Sequence, residues 1–231
     1  MAAEPTPIRD YGPDPQENYS QGLYLRSRRD SSGKAYFNAG NFLAPEREYS
    51  EFVKDSSEIM EHVKEVFRLT TGRELPEAFI SIHVLGMQEL EKAHEACGGS
   101  FHPSIRGFAV NRMPRPSDIF VLEDDLDSLL LTIGHEIGHC ISPTLKNKKD
   151  EEAKAFAFAE AWMKTIKEHD IAGIGKSIRL KHRPAKNNIH DKASDFVQEV
   201  IAGGKEAMQA FREIASCELS IDRNVLAHYC D

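Results

Sequence analysis

The sequence is short of positive charge: 37 Asp and Glu stand against 29 Lys and Arg, a formal net charge of −8 with a pI near 5.7. A phosphate backbone needs a basic surface, so no nucleic-acid partner is expected. Long apolar runs are missing as well. The stretch from Leu129 to Ile133 is far below the roughly 20 residues of a spanning helix, so no membrane segment is expected. Between Met1 and Asp14 there is no basic start followed by an apolar stretch, so no secretory signal is read there and the expected address is the cytoplasm. Cysteine pairing signals are absent too. Cys97, Cys140, Cys217 and Cys230 are scattered with no C-x-x-C pair, and are read as free thiols, mostly buried. Cys97, ahead of Gly98-Gly99, has one other conceivable use as a cap on a metal ion; an inert loop-side thiol is the plainer reading.

What is present is enough for a folded domain: 231 residues, 40% of them apolar, can bury a core. Residues 1–48 are rich in Pro, Gly, Ser, Asn and Arg, with Tyr11, Tyr19, Tyr24, Tyr36 and Phe37 interspersed, and read as an irregular arm whose aromatics suit a segment lying across the domain. From Tyr49 to Leu69 apolar residues recur at helical steps up to Thr70-Thr71-Gly72. A strand is expected over Phe79–Leu85, a short helix over Gln88–Ala96, and strands over Ser104–Asn111 and Ile119–Leu122 on either side of Pro114-Arg115-Pro116. Asp124–Cys140 reads as a long helix stopped by Ser142-Pro143, and Asp150–Glu168 as the next. A basic stretch, Lys176 to Lys186, leads to helical segments over Ile189–Gly203 and Lys205–Ser216. The fold class expected is α+β, with residues 49–170 as its core and 171–231 as a C-terminal segment.

The chemistry concentrates in His135-Glu136-Ile137-Gly138-His139. On a helix, histidines four apart project to one side and can share a tetrahedral ion. Glu136, about 100° round from His135, can reach a water on that ion without being a ligand. The surrounding helix is strongly apolar, with Leu126, Leu129, Leu130, Ile133 and Ile137, so polar groups set into it need partners that a metal would supply. Gly134 and Gly138 form a small-residue stripe suited to a close neighbouring backbone. On the wheel of the following helix Glu152 shares a face with Ala155, Phe156, Ala159, Met163 and Ile166, whereas Glu151 and Lys154 fall elsewhere. Glu152 is therefore the candidate third ligand, in a two-histidine, one-glutamate site that leaves the fourth position open. Its other reading is a carboxylate that stabilises the helix N-terminus.

H-E-I-G-H followed on the next helix by Glu151-Glu152-Ala153-Lys154-Ala155-Phe156-Ala157 resembles the gluzincin metallopeptidases, above all the short minigluzincins and the ImmA/IrrE-type proteins. The likeness covers about residues 50–170. It implies a zincin-like fold, a zinc ion held by His135, His139 and Glu152, and Glu136 as general base. The peptide or protein substrate would lie along a sheet edge, from Ser104–Asn111 or Ile119–Leu122. Larger members such as thermolysin carry an Asp four residues after the third ligand, to orient a ligating His; here that position is Phe156, so support must come from elsewhere. For the tetrahedral intermediate, His182, His190 and the arm tyrosines are candidates, His190 first, although a capping or core His is the blander reading. The basic stretch reads as a solvated connection or a contact for an acidic partner. Extra length at both ends raises the expectation that the arm or the C-terminal segment covers the cleft. A zinc-binding regulatory protein with little turnover is the alternative to a peptidase, and a helical interaction protein with a chance motif is a third reading.

Overall fold

The computed structural model describes residues 36–180 and 189–222. Within them the fold is mixed α+β. After a short 3-10 turn at Ala39–Phe42, the elements are β1 (Phe52–Val53), α1 (Ser56–Thr71), β2 (Ile80–Leu85), α2 (Met87–Ala96), β3 (Gly107–Val110), β4 (Ser117–Leu122), β5 (Asp124–Asp125), α3 (Leu126–Cys140), α4 (Lys148–His169), α5 (Ile189–Ala202) and α6 (Ala207–Ala215). No helix among the described residues is long and apolar enough to cross a membrane.

The largest local departure from the sequence expectation is at Tyr49–Asp55. Phe52 and Val53 continue the helical spacing of α1, yet they are extended and pair with Asp125 and Asp124. Asp55 decides the boundary: its side chain accepts from Ser57 N at 2.8 Å, which satisfies an end group of α1 and fixes the helix start at Ser56. The same pairing takes Asp124 and Asp125 out of the expected motif helix, which begins at Leu126. From there α1 buries Ile59, Val63, Val66 and Phe67, each burial contributing about 1.5–3 kcal/mol.

The three-stranded sheet has the order β2-β4-β3, with β2 parallel and β3 antiparallel to β4. Side chains alternate across it. Ile80, Ile82, Val84, Ile119 and Val121 join the main core with α1, α3 and α4, while Phe108, Val110 and Leu122 join a smaller one with Leu90 of α2 and Ile105. Central β4 is flanked on both sides, so Ile119–Leu122 offers no free edge, whereas β3 has one among the described residues. Gly107 lets β3 approach α3, since a Cβ there would sit 2.9 Å from Thr132 Cγ2.

Helix α4 runs through the middle of the molecule. Every residue from Asp150 to Met163 is buried, because α3, α5 and α6 all pack on it. Gly138 sits where the small-residue stripe predicts: a Cβ there would lie 2.9 Å from Ala155 Cα. Gly134 makes room for something larger, the indole of Trp162, whose Nε1 donates to Leu130 O at 3.0 Å.

Candidate metal centre

Helices α3 and α4 bring His135, His139 and Glu152 together. One ligand atom from each lies within 4.8 Å of the others, and all three residues are buried. Glu152 Oε2 is 3.7 Å from His135 Nε2 and 3.8 Å from His139 Nε2. Two ligands at 2.0–2.1 Å on a tetrahedral ion stand about 3.4 Å apart, so a few tenths of an ångström would complete the site. The two imidazole planes are nearly perpendicular, at 87°, and both turn Nε2 toward the carboxylate.

A buried carboxylate oxygen needs a strong partner. Glu152 Oε2 accepts no hydrogen bond among the described residues, although imidazole nitrogens surround it. Burial alone would raise its pKa, yet the His190, His135 and His139 rings hold it well below the usual carboxylate range. An anionic oxygen ringed by imidazole nitrogens fits a cation, so these three residues could hold a metal ion.

No protein-family model, no curated protein and no solved structure matches this chain.

The two histidines are held by different means. His135 is packed by rings, stacked on Phe37 at 4.4 Å and set edge-on to Phe156 at 4.9 Å, and its Nδ1 has no hydrogen-bond partner among the described residues. Burial lowers its pKa to about 4, keeping it neutral and able to ligate. His139 is held by polar groups. Its Nδ1 lies 2.8 Å from Glu151 Oε1, and its carbonyl accepts from Asn111 Nδ2 at 2.6 Å. Burial opposes charge on this ring, but the Glu151 hydrogen bond and the fields of Glu152, Glu151 and Glu136 outweigh it and raise its pKa.

Glu151 and Lys154 are the residues that sequence reasoning placed wrongly. The helical wheel puts them off the interface, yet Glu151 is 2% exposed and Lys154 is fully buried. A wheel assumes one apolar face and one wet one, whereas this part of α4 is enclosed on all sides. The three acids in the first turns of α4 each have a separate partner: Asp150 accepts from Ser220 Oγ and Ile221 N, both at 2.9 Å, Glu151 meets His139, and Glu152 faces the two Nε2 atoms.

Glu136 is buried beside His135, and its charge reaches His139. His190, in the first turn of α5, places Nε2 3.2 Å from Glu152 Oε2, on the side where Tyr36 packs at 6.4 Å. Cys97 packs in the smaller core and is not part of the ligand cluster. His182, Lys181, Arg183, Lys186, Cys230 and the tyrosines at 11, 19 and 24 lie outside the described residues. Lys176 and Arg179 are described, and Arg179 pairs with Glu46 at 3.2 Å.

Proposed function

We propose that the chain is a zinc-dependent metallopeptidase of the gluzincin type, with a zincin-like arrangement of sheet, motif helix and glutamate helix. The observation that carries this reading is the buried convergence of His135, His139 and Glu152 beside a second buried acid, Glu136, which the ligand set does not use. The donors, two imidazoles and one carboxylate, match a catalytic zinc site in which one coordination position stays open. A bound zinc ion would polarise the scissile carbonyl and acidify an attacking water.

The chain's own residues do the rest. Glu136 takes the proton of the attacking water and delivers it to the leaving amine, since a carboxylate placed beside the reacting atoms can serve in both directions. His190 faces the charge that develops on the carbonyl oxygen. The free edge of β3, Gly107–Val110, receives the peptide as an added strand. This edge ends at Asn111, which bonds the His139 and Ser142 carbonyls at 2.6 and 2.7 Å, so substrate on it runs past the metal centre.

The test is Glu136→Gln, assayed on a peptide library. The variant is expected to retain zinc and lose hydrolysis by at least about a hundredfold, the scale of losing one general base. Undiminished cleavage would contradict the mechanism. Zinc uptake without cleavage in the wild-type chain would favour a zinc-binding regulatory protein on the same scaffold.

A further inference from the structure

The geometry points to Glu151, fixed in place by Lys154, as a positioning residue that sets the orientation and tautomer of His139 and thereby prepares the metal centre. The inference rests on reading His135, His139 and Glu152 as that centre.

Both oxygens of Glu151 are occupied. Oε1 lies 2.8 Å from His139 Nδ1, while Oε2 accepts from Leu145 N at 2.7 Å and pairs with Lys154 Nζ at 2.9 Å. A carboxylate bound on both sides cannot swing away from the ring. Lys154 Nζ also reaches Pro143 O at 3.2 Å and His139 O at 3.5 Å, so the same ammonium ties down the end of α3 and the loop after it. Asn111 approaches the His139 carbonyl from the end of β3, one residue past the strand. The ring and the backbone of one histidine are therefore fixed from α4, β3 and the loop at once.

Burying this ion pair has a cost that apolar side chains would avoid, so it is poorly explained by stability. It is well explained by the ring it touches. A free imidazole prefers its proton on Nε2, the atom that His139 turns toward Glu152. A carboxylate on Nδ1 holds the proton there, leaves Nε2 bare and makes it a stronger donor. His135 has no such partner on Nδ1, and Phe37 and Phe156 fix its ring by packing alone. At the fourth position after Glu152, where larger gluzincins carry an orienting Asp, this chain has Phe156; the orienting carboxylate instead precedes the third ligand by one residue and acts on His139.

The role is read by nitrogen NMR of the His139 ring in metal-free protein, in alkaline solution where the imidazole is neutral, and by competition of Zn2+ against a chromophoric chelator. Wild-type His139 is expected in the Nδ1–H form. E151L/K154M, which removes both charges together, should shift it toward Nε2–H and weaken Zn2+ binding by about 10- to 100-fold. E151Q/K154M keeps an acceptor on Nδ1 and should restore most of the tautomer; it also serves if the first variant does not fold. A wild-type ring in the Nε2–H form, or unchanged tautomer and affinity in E151L/K154M, overturns the proposal. A wild-type chain that takes up no Zn2+ overturns the metal-centre reading instead, and the tautomer, which needs no metal, then decides the role of Glu151 alone.

Discussion

His190 shows how much a single side chain can contribute without a spacing signature. Nothing in the sequence joins it to His135 and His139, because the chain between the motif and α5 has no pattern that fixes distance. In the folded molecule its Nε2 is 3.2 Å from Glu152 Oε2. If it stabilises the developing oxyanion, His190→Ala should keep the metal and lower kcat about a hundredfold, the scale of one lost oxyanion donor. Unchanged turnover would reduce it to a contact of the helix end, and increased turnover would make it a latch on the site. Steady-state kinetics with metal analysis on the same sample separates these results. Glu151 and Lys154 are the opposite case, where a local pattern existed and misled. Their wheel positions are those of solvated residues, and the enclosure of α4 by the helices around it and the loop after α3 makes them buried.

Helices α3 and α4 were legible as elements because their apolar residues and stop signals are strong, and their ends fall within two residues of the expected ones. Their closeness was legible in the glycines. The partner of Gly134 was not, since no sequence pattern says that an indole on the following helix will fill the gap. Gly134→Ala tests that packing. Alanine raises helix propensity by about 1 kcal/mol, but its Cβ would lie 2.4 Å from Cδ1 of Trp162, which is fully buried and hydrogen-bonded to Leu130 O. Overpacking should win, with a net loss of about 1–3 kcal/mol by denaturant unfolding. A more stable variant would mean that Trp162 does not fill this gap. The error at Tyr49–Asp55 has a related cause. Apolar spacing alone extends the helix to Phe52, and the pairing of Phe52 and Val53 with a segment more than 70 residues later overrides it.

At the scale of the whole molecule, the C-terminal helices share the main core with the motif helix: Phe196, Val197, Phe211 and Ile214 pack in the same cluster as Ile133 and Ile137. Glu160 lies in that shared region, accepting a hydrogen bond from Gln198 of α5. Burial raises its pKa to about 8, only partly offset by that bond. A carboxyl whose pKa is higher when folded binds more protons in the folded state. Its contribution is therefore full below the ordinary Glu range and is lost as pH rises from about 4.5 to about 8, on the order of a few kcal/mol. Glu160→Gln, which cannot ionise, should flatten the fall of stability across that window, as read by thermal unfolding at several pH values. An identical pH profile in the variant would mean that Glu160 is already ionised or solvated in the folded protein.

All of this turns on whether the three ligands hold a metal. Elemental mass spectrometry of the purified chain, reconstituted with Zn2+ and dialysed, is the most direct measurement. One zinc per chain is expected in the wild type, from the single His135, His139 and Glu152 cluster found among the described residues, with none retained by folded His139→Ala. A wild-type chain that holds no zinc, or a His139→Ala variant that holds as much, would contradict the metal centre and the peptidase reading built on it.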